Sequence, residues 1–94
     1  NIHHGFLPSF KGADPYREAL NLGVKVIGAT AHFVNEKLDE GPIISQAVEN
    51  VTHDDNLASL LRKGRNLEKR ALTDAILSYT DYRLIRHENK TIVF

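Results

Sequence analysis

Val24-Lys25-Val26-Ile27-Gly28-Ala29-Thr30-Ala31-His32-Phe33-Val34, a polar stretch over 35–41, and then Pro42-Ile43-Ile44-Ser45-Gln46-Ala47-Val48 form the segment on which the fold turns. β-Branched residues and a period of two mark residues 24–34 as a strand. Ile27, Ala29, Ala31 and Phe33 lie on one face, and Val26, Gly28, Thr30 and His32 on the other. A second strand resumes at 42–48, so the pair reads most simply as an antiparallel hairpin with a seven-residue loop that carries Asp39.

Working upstream, residues 1–7 read as the end of a strand running into a loop punctuated by Pro8, Gly12 and Pro15. Asp14 before Pro15 has the form of an N-cap followed by a first-turn proline. It opens a short helix through Tyr16, Ala19 and Leu20 to Leu22, closed by Gly23. Downstream, Thr52 and Asp55 have the spacing of a capping box, and Leu57, Leu60, Leu61, Ala71, Leu72, Ala75 and Ile76 recur at helical spacing. They predict one long helix, with Gly64 as the place for a bend. Residues 83–87 and 91–94 flank an Asn89-Lys90 turn and predict a terminal hairpin that buries Leu84, Ile92 and Phe94. The expected class is α/β with mixed strands, one short helix and one long one.

The chain has 94 residues, enough for one small domain. Its 12 basic and 12 acidic side chains cancel, so no global field favours nucleic acid or an anionic membrane as the partner. Arg62, Lys63, Arg65, Lys69 and Arg70 fit the solvated face of the long helix, and no aromatic platform for stacking bases accompanies them. Cysteine is missing, which removes thiolate zinc sites and disulfides and makes a reducing cytoplasmic compartment the default. No apolar run approaches a membrane span.

Two places offer chemistry. In Asn1-Ile2-His3-His4, Asn1 and His3 project from the same side of an extended segment while His4 points away. An amide beside an imidazole suits a site where negative charge develops on a carbonyl oxygen. The same residues near a chain end serve equally as surface or turn residues. Asp39, with Gly41 permitting close backbone approach and Pro42 fixing the next strand, is a candidate general base, although Asp-Glu-Gly-Pro is also an ordinary solvated turn. A metal held by His3, His4, His32 and Asp39 is disfavoured, because neighbouring strand residues point to opposite faces and no His-x-x-x-His occurs.

Several blocks together resemble the formyltransferase signature: Asn1-Ile2-His3-His4 with Phe6-Leu7-Pro8 and Gly12, then Gly28, Thr30 and His32, then Leu38-Asp39, Gly41-Pro42-Ile43-Ile44 and Gln46. They cover roughly the first half of the chain. His3-His4, Gly12-Ala13, Pro15-Tyr16 and residues 23–30 are similar to the formyltetrahydrofolate deformylase branch, while Gly5 and Asp14 depart from its pattern. The resemblance implies a Rossmann-like formyltransferase fold and hydrolysis of 10-formyltetrahydrofolate to formate and tetrahydrofolate, within one-carbon metabolism and formate supply for purine biosynthesis. It implies Asn1, His3 and Asp39 as the catalytic residues, Thr30 and His32 as supports, and no metal or cofactor beyond the folate substrate. It further implies a homo-oligomeric full-length form.

On the same resemblance, residues 1–94 correspond to the C-terminal portion of the catalytic domain, with the upstream half and an ACT-type regulatory domain lying before Asn1. The 94 residues alone are then expected to be inactive or nearly so. Two other readings stand beside this one: formyl transfer to an amine such as glycinamide ribonucleotide, and a non-catalytic fragment whose helix and hairpin serve assembly.

Overall fold

A computed structural model describes residues 1–3, 14–36 and 41–94. In chain order the elements are β1 (Ile2–His3), α1 (Pro15–Leu22), β2 (Val26–His32), β3 (Ile43–Asn50), α2 (Leu57–Thr80), β4 (Leu84–His87) and β5 (Lys90–Val93). β2 is the middle strand of a sheet ordered β1-β2-β3, and β4 and β5 form a separate ribbon. All three pairings are antiparallel, so the expected hairpin is present, with Ala29 opposite Ala47 and Thr30 opposite Gln46. Near its loop end Ala31 faces Ser45 but His32 faces Ile43, which leaves Ile44 as the extra residue of a bulge.

The core forms where α2 lies across β2 and β3. Ile27, Ala29 and Ala31 from β2 and Ala47 from β3 meet Leu60, Leu67, Ala71 and Ala75 from α2. Alanine on both sides of this contact lets helix and sheet approach closely. The fully buried Leu60 and Leu67 are the large side chains, each contributing roughly 1.5–3 kcal/mol by leaving water.

The buried stripe of α2 is Leu60, Gly64, Leu67, Ala71, Ala75 and Ser78. Leu61, Leu72 and Ile76, expected inside from their spacing, are exposed instead, because the helix is rotated to set the 60-64-67-71 row on the sheet. The helix runs unbroken through Gly64, whose hydrogen faces the Tyr16 ring of α1; a Cβ there would lie 2.3 Å from the ring carbon that bears the phenol oxygen. Burial first, and the nearby Glu68 second, push the Tyr16 phenol well above its ordinary range, so it stays neutral in this contact.

Both helix boundaries follow local chemistry. α1 begins after Asp14 as expected, but the Asp14 side chain does not cap the helix; it accepts a bond from Arg17 Nε at 2.9 Å. Gly23, at φ 69, closes α1 with its N–H on the Leu20 carbonyl, and Val24 N–H bonds the Ala19 carbonyl. These two bonds form a Schellman motif.

The capping box of α2 sits later than Thr52 and Asp55. Asn56 Oδ1 accepts from Ser59 N–H at 2.9 Å, and Ser59 Oγ accepts from Asn56 N–H at 2.9 Å. Asp55 instead accepts from Lys63 Nζ at 2.7 Å, Thr52 N–H at 2.8 Å and Ser59 Oγ at 2.8 Å. Lys63 also reaches the Asn50 carbonyl at 3.0 Å, joining the end of β3 to α2.

The bond from Lys63, then those from Thr52 and Ser59, hold the Asp55 carboxyl well below the usual carboxylate range. A depressed folded pKa adds stability above the unfolded value near 3.9, and this stability is lost as pH falls through the folded value. The urea midpoint is therefore expected to fall between about pH 6 and about pH 3 by more than it does in Asp55→Asn. Equal acid sensitivity of the two proteins would refute the assignment.

The terminal ribbon differs from its sequence expectation in two ways. Its turn is Glu88-Asn89, one residue earlier, since His87 pairs with Lys90, and Glu88 takes the positive φ of 54 that a tight two-residue turn requires. The burial also shifts: Leu84 is half-buried, but Ile92 is 50% and Phe94 68% exposed. Leu84, Arg86, Thr91 and Val93 share one face of the ribbon by register. That face meets the main sheet, with Thr91 Oγ1 donating to the Ile43 carbonyl and Arg86 over the Phe33 ring. Ile92, on the other face with Ile85, is turned outward.

Candidate active site

The site is built by register on the sheet face opposite α2. Ile2 pairs with Ala31 and His3 with Thr30, while Thr30 pairs with Gln46 on the other side. Side chains of directly opposed residues project to the same face, so His3, Thr30 and Gln46 form one row across three strands. A second row lies beside it. His32 N–H donates to the Asn1 carbonyl at 2.9 Å, and the Asn1 backbone nitrogen donates to the His32 carbonyl at 2.8 Å. With a period of two, Asn1, His3, Thr30 and His32 all share this face, and Ile2, Ala29 and Ala31 go to the core.

Burial makes the row consequential. His3 is 5% exposed, Thr30 fully buried and His32 2% exposed, so polar groups here act in a medium of low dielectric. Gln46 Nε2 donates to Thr30 Oγ1 at 3.1 Å. His32 Nδ1 lies 2.8 Å from the Phe33 carbonyl, and a carbonyl can only accept. A proton therefore sits on Nδ1, which donates to that carbonyl, and Nε2 is shielded from solvent.

Asp39, like His4, lies outside the described residues. The residues that bracket it are firmly placed. Phe33 N–H donates to the Pro42 carbonyl at 2.9 Å, and Arg86 from β4 stacks over the Phe33 ring at 5.1 Å from its centroid. Gly41 is packed so closely that a Cβ would lie 1.6 Å from the Phe33 oxygen and 3.2 Å from His32 Nδ1. Glycine is obligatory at that position.

Four of the five site residues expected from sequence thus come together on one face. Sequence reasoning quoted Gln46 only as part of the motif; its register opposite Thr30 carries its significance. Arg86 had no local signal, since only the docking of the terminal ribbon brings it to Phe33. Among the described residues, no three His, Asp or Glu side chains are grouped to hold a metal ion, and no helix is long and apolar enough to cross a membrane.

An α/β domain that lines up an amide, imidazoles and a hydroxyl on one sheet face presents groups able to hydrogen-bond a carbonyl oxygen. More particularly, the chain belongs to the formyl transferase family, whose sequence profile matches residues 1–76. It is 58% identical over 95 residues to formyltetrahydrofolate deformylase 1, mitochondrial, of Arabidopsis thaliana, covering 100% of this chain and 29% of that protein. A crystal structure of a formyltetrahydrofolate deformylase from Pseudomonas syringae pv. tomato superposes with a TM-score of 0.97 at 51% identity, covering 100% of this chain and 32% of that one. Glycinamide ribonucleotide transformylase 1 from Symbiobacterium toebii superposes with a TM-score of 0.92 at 39% identity, covering 100% of this chain and 44% of that one. The chain spans about a third of the length of the curated relatives it matches.

Proposed function

We propose that the chain is the C-terminal portion of a catalytic domain that hydrolyses 10-formyltetrahydrofolate to formate and tetrahydrofolate. The observation that carries this reading is the placement of Asn1, His3 and Thr30 on one sheet face, by pairings that leave no freedom of register. Asn1 donates from its amide to the formyl oxygen, and His3 stabilises the negative charge that forms there. Asp39 orients the attacking water and accepts its proton. Water adds to the formyl carbon, the carbon–nitrogen bond to the folate breaks, and the proton passes to the departing nitrogen. No metal or further cofactor enters this reaction.

Identity supports hydrolysis over transfer to an amine: the deformylases named above match this chain at 51–58%, the transformylase at 39%. Formate from this reaction would serve one-carbon metabolism and purine biosynthesis. A cytoplasmic location and a homo-oligomeric full-length form belong to the same reading; the Arabidopsis relative is named as mitochondrial, so location does not follow from the fold.

The test uses the full-length gene product with 10-formyltetrahydrofolate in water. Formate release without any amine acceptor is expected, and it should stop in Asp39→Asn. Formate appearing only as a minor leak beside a formylated amine would overturn hydrolysis, and unchanged turnover in Asp39→Asn would remove the base role.

A further inference from the structure

We infer that Gln46 is a positioning residue that turns the Thr30 hydroxyl toward His3. The inference rests on the reading above, in which His3 acts at the formyl oxygen. Gln46 and His3 flank Thr30 on the two neighbouring strands, in one row and on one face. A threonine hydroxyl has one proton to donate and lone pairs to accept with. Gln46 Nε2 fills a lone pair at 3.1 Å, from the β3 side. Repulsion between like hydrogens then directs the Thr30 proton away from β3, and β1 with the His3 imidazole lies on that side.

The position of Gln46 separates this role from a structural one. Thr30 is fully buried, whereas Gln46 is exposed. Truncating Gln46 opens no cavity in the core, so its loss should be felt in the orientation of the row more than in stability. Glutamate has nearly the same shape but, when ionised, only accepts. At position 46 it would draw the Thr30 proton to itself and reverse the bond without emptying the space.

The experiment compares Gln46→Glu, Gln46→Leu, Thr30→Val and the double variant Thr30→Val/Gln46→Glu in the full-length gene product. Gln46→Glu is expected to lower kcat for formate release about tenfold with KM within about twofold, and with an unchanged urea midpoint. Gln46→Leu should fall in the same sense. Thr30→Val should remove the effect of the second change, so that the double variant is no slower than Thr30→Val alone. The ¹⁵N resonances of the His3 imidazole should move in Gln46→Glu.

Wild-type kcat and unmoved His3 resonances in Gln46→Glu, or full additivity in the double variant, would overturn the inference. If the wild-type protein releases no formate, the proposed function fails, and the His3 resonances still decide the role of Gln46.

Discussion

Gly41→Ala is expected to destabilise the full-length gene product by about 3 kcal/mol or more and to lower its turnover by at least about a hundredfold. The added methyl would sit 1.6 Å from the Phe33 carbonyl oxygen, well inside any van der Waals contact. The atom it meets is backbone, so no side-chain rotation relieves it. Phe33 cannot yield easily, because its N–H is bonded to Pro42, its carbonyl accepts from His32 Nδ1, and its ring lies under Arg86. Any accommodation separates the two ends of the segment that carries Asp39 and disturbs His32 with it. Urea denaturation and formate release on the same preparation check both halves of the expectation. A variant with wild-type values for both would show that the close approach of Gly41 to Phe33 is not maintained in solution.

His3→Ala is expected to have a large effect on catalysis at a small cost to the fold. Loss of a positioned acid–base group removes about 10² to 10⁴ in rate, and the fall should appear in kcat with KM little changed if the imidazole acts on charge that develops only in the transition state. Position 3 ends a two-residue strand whose pairing is made by backbone groups, which alanine keeps. His3 is nonetheless buried, so His3→Gln, which fills more of the space, serves as the partner variant. Both should show the loss, and Gln should retain more of the native urea midpoint. A kcat within about threefold of the unmodified protein in both variants would remove His3 from the mechanism.

Together the two variants separate different parts of one design. His3 belongs to the chemistry, whereas Gly41 belongs to the backbone geometry that holds His32 and brackets Asp39. The terminal ribbon joins the second of these through Arg86 and Thr91. The network of Asp55, Lys63 and Ser59 at the start of α2 stands apart from both, and its acid sensitivity reports on the fold alone.

Much of this arrangement was legible in the residues. Alternation over 24–34 assigned Thr30 and His32 to one face of a strand, and the break at 35–41 announced the hairpin, because a period of two and a cluster of turn formers are local properties of a chain. Pro15 and Gly23 marked the ends of α1 for the same reason. The motif blocks pointed to Asn1, His3 and Asp39 through resemblance to the formyltransferases.

What local pattern could not supply was the rotation of α2, the outward turn of Ile92, the need for glycine at 64, and the partnership of Gln46 with Thr30. Each depends on which surface meets which after the elements dock. Leu61 and Leu60 are equally apolar in the sequence, yet only one faces the sheet. Helix rotation, close backbone approach and cross-strand register are set by packing between segments distant along the chain, and their energies exist only once those segments are in contact.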